Sequence, residues 1–154
     1  MKGDPKVIDT LNSLLADELS AINQYMVHAE MCEAWGYEKL GKLIQKRSVT
    51  EMKHAEKLIG RILFLEGIPI VSEYHKLHIG ADVPKMFASD HVLEIGAVKS
   101  YNTGMAVCAK ANDHTTRDLL QSILNDEDEH VDSIEAVLDQ IGQMGLQIFL
   151  SVQI

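Results

Sequence analysis

Two cysteines in 154 residues exclude a disulfide scaffold, and three prolines with ten glycines exclude collagen-like or low-complexity chains. Aromatic residues make up only 5% and β-branched alternation is scarce, so little in the chain asks for a sheet. No uncharged apolar run approaches the roughly 20 residues of a membrane span, and no membrane partner is expected. Basic residues are also in short supply. Fourteen of them against 23 acidic ones leave a net charge of −9, the wrong sign for neutralising nucleic-acid phosphates, whereas metal cations suit it. The opening Met1-Lys2-Gly3-Asp4-Pro5 lacks an apolar core behind a basic start, which points to the cytoplasm. A chain of this length buries roughly 70% of its unfolded surface, enough for one self-sufficient domain over residues 1–154.

What the chain has in abundance is apolar residues, 46% of the total, recurring at steps of three and four. Breakers fall at Gly36, at Gly67 through Pro69, at Gly80 and Pro84, at Asn112-Asp113, and at Gly142 and Gly145. The spacing predicts helices over about 5–35, 38–66, 83–111 and 114–143, with a short last helix over about 146–153. Each long helix carries one inward stripe. The first reads Ile8, Leu11, Leu15, Glu18, Ile22, Tyr25, Ala29, Cys32, and the second Leu40, Ile44, Arg47, Glu51, His54, Leu58, Arg61, Leu65. The third reads Val83, Phe87, Asp90, Glu94, Ala97, Tyr101, Met105, Cys108, and the fourth Thr116, Leu120, Ile123, Glu127, His130, Ile134, Val137, Ile141. Every stripe has acid at its middle.

A repeat underlies the pattern. An offset of 76 residues carries Glu18 to Glu94, Tyr25 to Tyr101, Cys32 to Cys108, Glu51 to Glu127 and His54 to His130, so the chain reads as two copies of one helical hairpin. Tight turns at Gly36 and Asn112 bring the glutamates of each hairpin to one level. The linker 67–82 can extend about 50 Å, enough to run the bundle's length and start the third helix parallel to the second. The expected fold is all-α, a four-helix bundle with one long crossover between helices two and three and a short fifth helix.

Glu51-x-x-His54 and Glu127-x-x-His130 each place a carboxylate and an imidazole one turn apart on one face, and Glu18 and Glu94 add one carboxylate from each remaining helix. Four buried carboxylates at one level repel one another and lose hydration, whereas two divalent cations leave the group near neutral. Glu51 and Glu127 are placed to bridge two ions, Glu18 with His54 and Glu94 with His130 to complete one each. Oxygen-rich ligation with one imidazole per metal suits iron or manganese better than tetrahedral zinc. Arg47, one turn before Glu51, is placed to pair with it, either holding the metal-free site together or weakening metal affinity on that side. Tyr25 and Tyr101 are expected to hydrogen-bond ligands. Cys32 and Cys108, about 40 Å apart along antiparallel helices, are expected to be free. A second stripe, Leu19, Ile22, Met26, Met52, Ala55 and Ile59, is expected to face outward under a second subunit.

These residues are similar to those of the ferritin-like two-metal bundles, and among them the chain resembles the bacterioferritins over nearly its whole length. The resemblance is carried by Met-Lys-Gly-Asp with Val7-Ile8, by Glu18 to Tyr25, by Glu51-Met52-Lys53-His54-Ala55, by Arg61 through Gly67, by Ile79-Gly80, by Asp126 to His130, and by Met144-Gly145-Leu146. It implies a 24-subunit shell that oxidises Fe(II) with O2 or H2O2, acting as a ferroxidase at Glu18, Glu51, His54, Glu94, Glu127 and His130, and stores Fe(III) mineral inside. It further implies one haem b per subunit pair, its iron held by Met52 from both subunits, and a small ferredoxin as electron donor. Bacterioferritins often carry Tyr, His, Glu and Asp where this chain has Gln45, Lys46, Arg47 and Thr50, a set associated with an accessory iron site on the inner wall; two cations here weigh against that site. Two other readings stand beside this one. A shell-less di-iron oxidase or peroxidase resembling rubrerythrin shares the bundle, although two cysteines 76 residues apart cannot supply that family's Cys-x-x-Cys module. A haem-carrying structural subunit of a mixed shell, built with a second ferritin subunit, is the other.

Overall fold

The computed structural model describes residues 1–154. Five helices follow in order: α1 (Pro5–Ala34), α2 (Glu38–Phe64), α3 (Val83–Lys110), α4 (His114–Met144) and α5 (Leu146–Ser151). Their starts are written chemically. Asp4, Asp82 and Asp113 each accept a hydrogen bond from a backbone N–H of the helix they open, and Pro5 and Pro84 occupy first-turn positions where a missing N–H costs nothing. The hairpin turns rely on left-handed residues, Gly36 at φ 83° and Asn112 at φ 56°, the latter letting Asp113 N–H reach back to the Cys108 carbonyl. The five expected helices are present with ends within about two residues.

α1 packs along α2 and α3 along α4, and the two hairpins meet mainly through α1 and α3. Hydrogen-bonded pairs fix the direction of that contact. Tyr25 bonds Glu94 and Tyr101 bonds Glu18, so rising numbers on α1 meet falling numbers on α3, and the two run antiparallel. The four predicted stripes point inward. They divide into two apolar clusters of 12 residues each, one around Leu11, Leu58, Ile62 and Leu120, the other around Ile44, Phe87, Ile134 and Phe149. At roughly 1.5–3 kcal/mol for each fully buried Leu, Ile or Phe, these clusters supply the force that keeps a polar layer buried between them.

Residues 65–82 form no helix, yet they are pinned to α1 by a polar row that the apolar pattern did not reveal. Asn12 bonds Ile68 O and Ile70 N, Ser20 accepts from His75 N, Gln24 accepts from His78 N, and His28 Nε2 accepts from Gly80 N. That last bond leaves the ring proton of His28 on Nδ1, aimed at Asp90 Oδ1 3.0 Å away. The second stripe is less outward than expected. Ala55 is buried in the core and Leu19, Ile22 and Ile59 are half-buried against it, because α1 and α2 pack tightly enough to cover them, and only Met26 and Met52 stand exposed. Cys32 and Cys108 are free. No helix is long and apolar enough to cross a membrane.

At Gly80 the crossover passes so close to α3 that a Cβ would collide with the backbone of Lys85 and Met86, whereas Gly96 on α3 has open space. Gly80→Ala is therefore expected to destabilise by about 2 kcal/mol and Gly96→Ala to stabilise by up to about 1 kcal/mol. Denaturant unfolding checks both, and an undiminished Gly80→Ala protein would contradict the close packing.

Candidate metal centre

All six predicted site residues come together between the two apolar clusters. Glu18, Glu51, His54, Glu94 and Glu127 are almost fully buried, and His130 is 14% exposed. They fall into two overlapping groups whose donor atoms lie within 4.8 Å of one another, Glu18, Glu51, His54 and Glu127 in one, Glu51, Glu94, Glu127 and His130 in the other. The shared members reach both ways. Glu51 puts Oε2 2.9 Å from His54 Nδ1 and Oε1 2.9 Å from His130 Nδ1, while Glu127 puts Oε1 3.1 Å from the first ring and Oε2 3.3 Å from the second. Glu18 serves only His54, at 3.6 Å, and Glu94 only His130, at 3.3 Å.

One imidazole N–H has one proton to give, so three carboxylates around one nitrogen cannot all be satisfied by it. Glu51 Oε1, Glu94 Oε2 and His130 Nδ1 are indeed buried without forming a hydrogen bond, even though the first and last lie within ion-pair distance of each other. Such convergence, costly among protein groups alone, is what a small cation with several coordination positions would relieve. The donor set of carboxylate oxygens with one imidazole nitrogen on each side fits Fe(II) or a similar divalent ion.

Without cations the charges must be balanced by protons. Burial pushes the Glu18 carboxyl up to about 8, His54 opposing and Glu51 adding to the rise. Burial likewise carries Glu94 to about 7, opposed by His130 and reinforced by Glu127. For the imidazoles burial disfavours the charge, but the surrounding carboxylates outweigh it. His54 lies far above its ordinary value through Glu127, Glu18 and Glu51, and His130 rises to about 11 through Glu127, Glu51 and Glu94.

Both tyrosines bond a ligand carboxylate of the opposite hairpin, Tyr25 that of Glu94 and Tyr101 that of Glu18. Burial, then the neighbouring carboxylates, holds both phenols well above their ordinary value, so they stay protonated as donors. Arg47 departs from expectation. It makes no ion pair with Glu51; its guanidinium turns instead over the Tyr25 ring, 5.4 Å from the centroid, and donates to Ser133 Oγ at 3.3 Å. The i,i+4 spacing allowed the pair, but α4 and the tyrosine face offered a better-fitting bed for a planar cation. Sequence reasoning also missed Asp126, whose Oδ2 lies 2.9 Å from His54 Nε2 and which orients that ring. Its signal was present, an acid directly before Glu127, but it reads like any acid on a solvated helix face.

A cleft of about 230 Å3 runs between α1 and α3 beneath the crossover, with Glu18, Glu51, Glu94 and Glu127 at its floor and Asp17, His75 and Ser100 toward its mouth. Asp17 Oδ1 meets His75 Nε2 there at 2.7 Å. The centre is thus buried but reachable.

A four-helix bundle with one long crossover and paired carboxylates and histidines at mid-height defines a ferritin-like protein, and a family model described as Ferritin-like domain matches residues 8–144. A bacterioferritin of Brucella melitensis is 40% identical over 145 residues, covering 94% of this chain and 90% of its own. One of Streptomyces coelicolor is 39% identical over 154 residues, 100% and 92% respectively, and one of Rhodobacter capsulatus 40% over 149 residues, 97% and 92%. The chain belongs to the bacterioferritin family.

The raised pKa values set a sign for pH dependence. Glu18 and Glu94 bind protons more tightly folded than unfolded above pH 4.5, and His130 above pH 6.5. The metal-free protein should therefore lose stability as pH rises from about 5 to 9, and a divalent cation should flatten that slope by displacing the protons. Calorimetric melts with and without Co(II) read this directly; a metal-free protein more stable at pH 9 than at pH 6 would contradict it.

Proposed function

We propose that this chain is an iron-storage ferroxidase, binding two Fe(II) ions as substrate at Glu18, Glu51, His54, Glu94, Glu127 and His130 and passing Fe(III) into the interior of a 24-subunit shell in the cytoplasm. The observation that carries the reading is the pair of overlapping four-residue groups sharing Glu51 and Glu127. Two Fe(II) ions held side by side give up one electron each, so one O2 and two protons yield H2O2, or one H2O2 and two protons yield two waters. The protons that the metal-free carboxylates hold are displaced as the cations enter. Tyr25 and Tyr101 keep Glu94 and Glu18 aimed inward, and Asp126 does the same for His54. The cleft under the crossover is the approach for iron and oxidant, the four glutamates at its floor favouring cations.

Haem b is the proposed second group. Met52, 46% exposed on the outer face of α2, and Met26, 51% exposed on α1, offer soft sulfur beside the half-buried Leu19, Ile22 and Ile59. These residues fit a haem edge, and Met52 from each of two subunits would hold its iron. Bound there, the haem supplies one-electron transfer for returning Fe(III) to Fe(II), with a small ferredoxin as the proposed donor.

Glu18→Ala and Glu94→Ala are each expected to abolish fast aerobic Fe(II) oxidation, a loss of at least about 100-fold, while size exclusion still shows a shell of hundreds of kilodaltons. Undiminished oxidation by both variants would overturn the ferroxidase, and a single-subunit elution would overturn the shell. Met52→Leu should remove the haem absorbance and leave iron uptake largely intact; an unchanged haem spectrum would exclude Met52 as the ligand.

A further inference from the structure

The polar row that ties the crossover to α1 has no counterpart in the other half of the molecule. An offset of 76 residues carries Asp17 to Leu93, Ser20 to Gly96 and His28 to Gly104, so the repeat that builds the centre does not account for the polar groups above it. The α3 wall of the cleft is correspondingly small and largely apolar, with Val92, Leu93, Gly96 and Ala97 beside Ser100. The carboxylate and the imidazoles at the mouth come from α1 and the crossover alone.

Asp17 and His75 are brought together by the backbone and not by their own attraction. The buried Ser20 hydroxyl accepts from His75 N–H at 2.8 Å, and Gln24, one turn further along α1, accepts from His78 N–H at 3.1 Å. So held, the His75 ring lies over the turn of α1 before Ser20, with its Nε2 2.7 Å from Asp17 Oδ1. The two side chains are 59% and 25% exposed, and a bond so open to water adds little to stability. What it does place is one carboxylate oxygen and one imidazole nitrogen, a donor pair suited to Fe(II), above a floor of four glutamates. Asp17 directly precedes Glu18, their Cα atoms about 3.8 Å apart, and a step of about 100° around the helix turns one carboxylate to the mouth and the other to the floor. Lys76, exposed at the same rim, offsets the charge of Asp17, so an ion is taken there by ligation and not by the field.

We propose that Asp17 and His75 form a transient divalent-cation site at the mouth of the cleft, where an incoming Fe(II) replaces the hydrogen bond between them and is handed on to Glu18. This rests on the two-metal reading above. The neutral His75 ring then carries its proton on Nδ1, which leaves Nε2 free to ligate. Two protein donors leave most of the ion's coordination to water and keep it exchangeable, whereas the floor, with four donors in each group, is the stronger sink.

The test adds Co(II) anaerobically to the metal-free assembled protein. Stopped-flow visible absorbance reads how fast the ion reaches the centre, and anomalous scattering at the cobalt edge from crystals in excess Co(II) reads where it stops. A peak between Asp17 and His75, weaker than those at the floor, is expected. Asp17→Ala and His75→Ala should each slow arrival at limiting Co(II) by at least about 10-fold, the loss a metal site suffers when even a supporting group is removed. His91→Ala, at a histidine that pairs with Glu135 and does not line the cleft, should leave the rate unchanged. The sign separates a ligand pair from a plug, because removing either side chain of a mere obstruction would speed arrival. His75→Asp, which cannot donate to Asp17 but keeps a ligating oxygen, should restore the rate. No peak at the mouth, or arrival as fast or faster in Asp17→Ala and His75→Ala, would overturn the entry site while leaving the two-metal centre standing. Absence of Co(II) from the floor would overturn both.

Discussion

Four carboxylates held at one height inside a helical bundle cannot all keep their charge without cations among them. Buried between two apolar clusters, they repel one another and have lost their water. The remaining polar features of the centre answer that repulsion. Two histidines rise to hold protons, two tyrosines donate across the bundle, and Asp126 steadies a ring from behind. An apolar layer of the same volume is often as stable or more so, and the orphaned atoms Glu51 Oε1, Glu94 Oε2 and His130 Nδ1 mark this layer as costly among protein groups alone.

The scaffold has the rigidity that such a layer requires. Long helices capped by aspartates and joined by two tight turns keep four backbones in register. The crossover adds a strap bonded to Asn12, Ser20, Gln24 and His28 along α1. Because the strap lies over the cleft between α1 and α3, the element that closes the bundle also frames the approach to the centre. Stability and access are set by one segment.

Most of this architecture was legible in the amino-acid order. Steps of three and four located the stripes, the 76-residue offset exposed the repeated hairpin, and the tight turns at Gly36 and Asn112 put the glutamates of each hairpin at one level. What escaped was the information carried by side-chain direction. Asp126 looks like a solvated acid until α2 brings His54 beside it, and Arg47 at i,i+4 from Glu51 looks like half of an ion pair until its plane settles on Tyr25. Ala55 was read outward because a small apolar residue at a stripe's edge does not reveal how closely two helices approach. The polar row on α1 escaped for the opposite reason, since its buried partners are backbone groups of an aperiodic segment.

Crystals soaked anaerobically in Fe(II) and measured across the iron absorption edge examine the central claim most directly. At saturation two anomalous peaks per subunit should lie between the four carboxylates, both in contact with Glu51 and Glu127 and each with one histidine. A centre devoid of iron, its glutamates turned to solvent or still paired with the two imidazoles, would contradict the account.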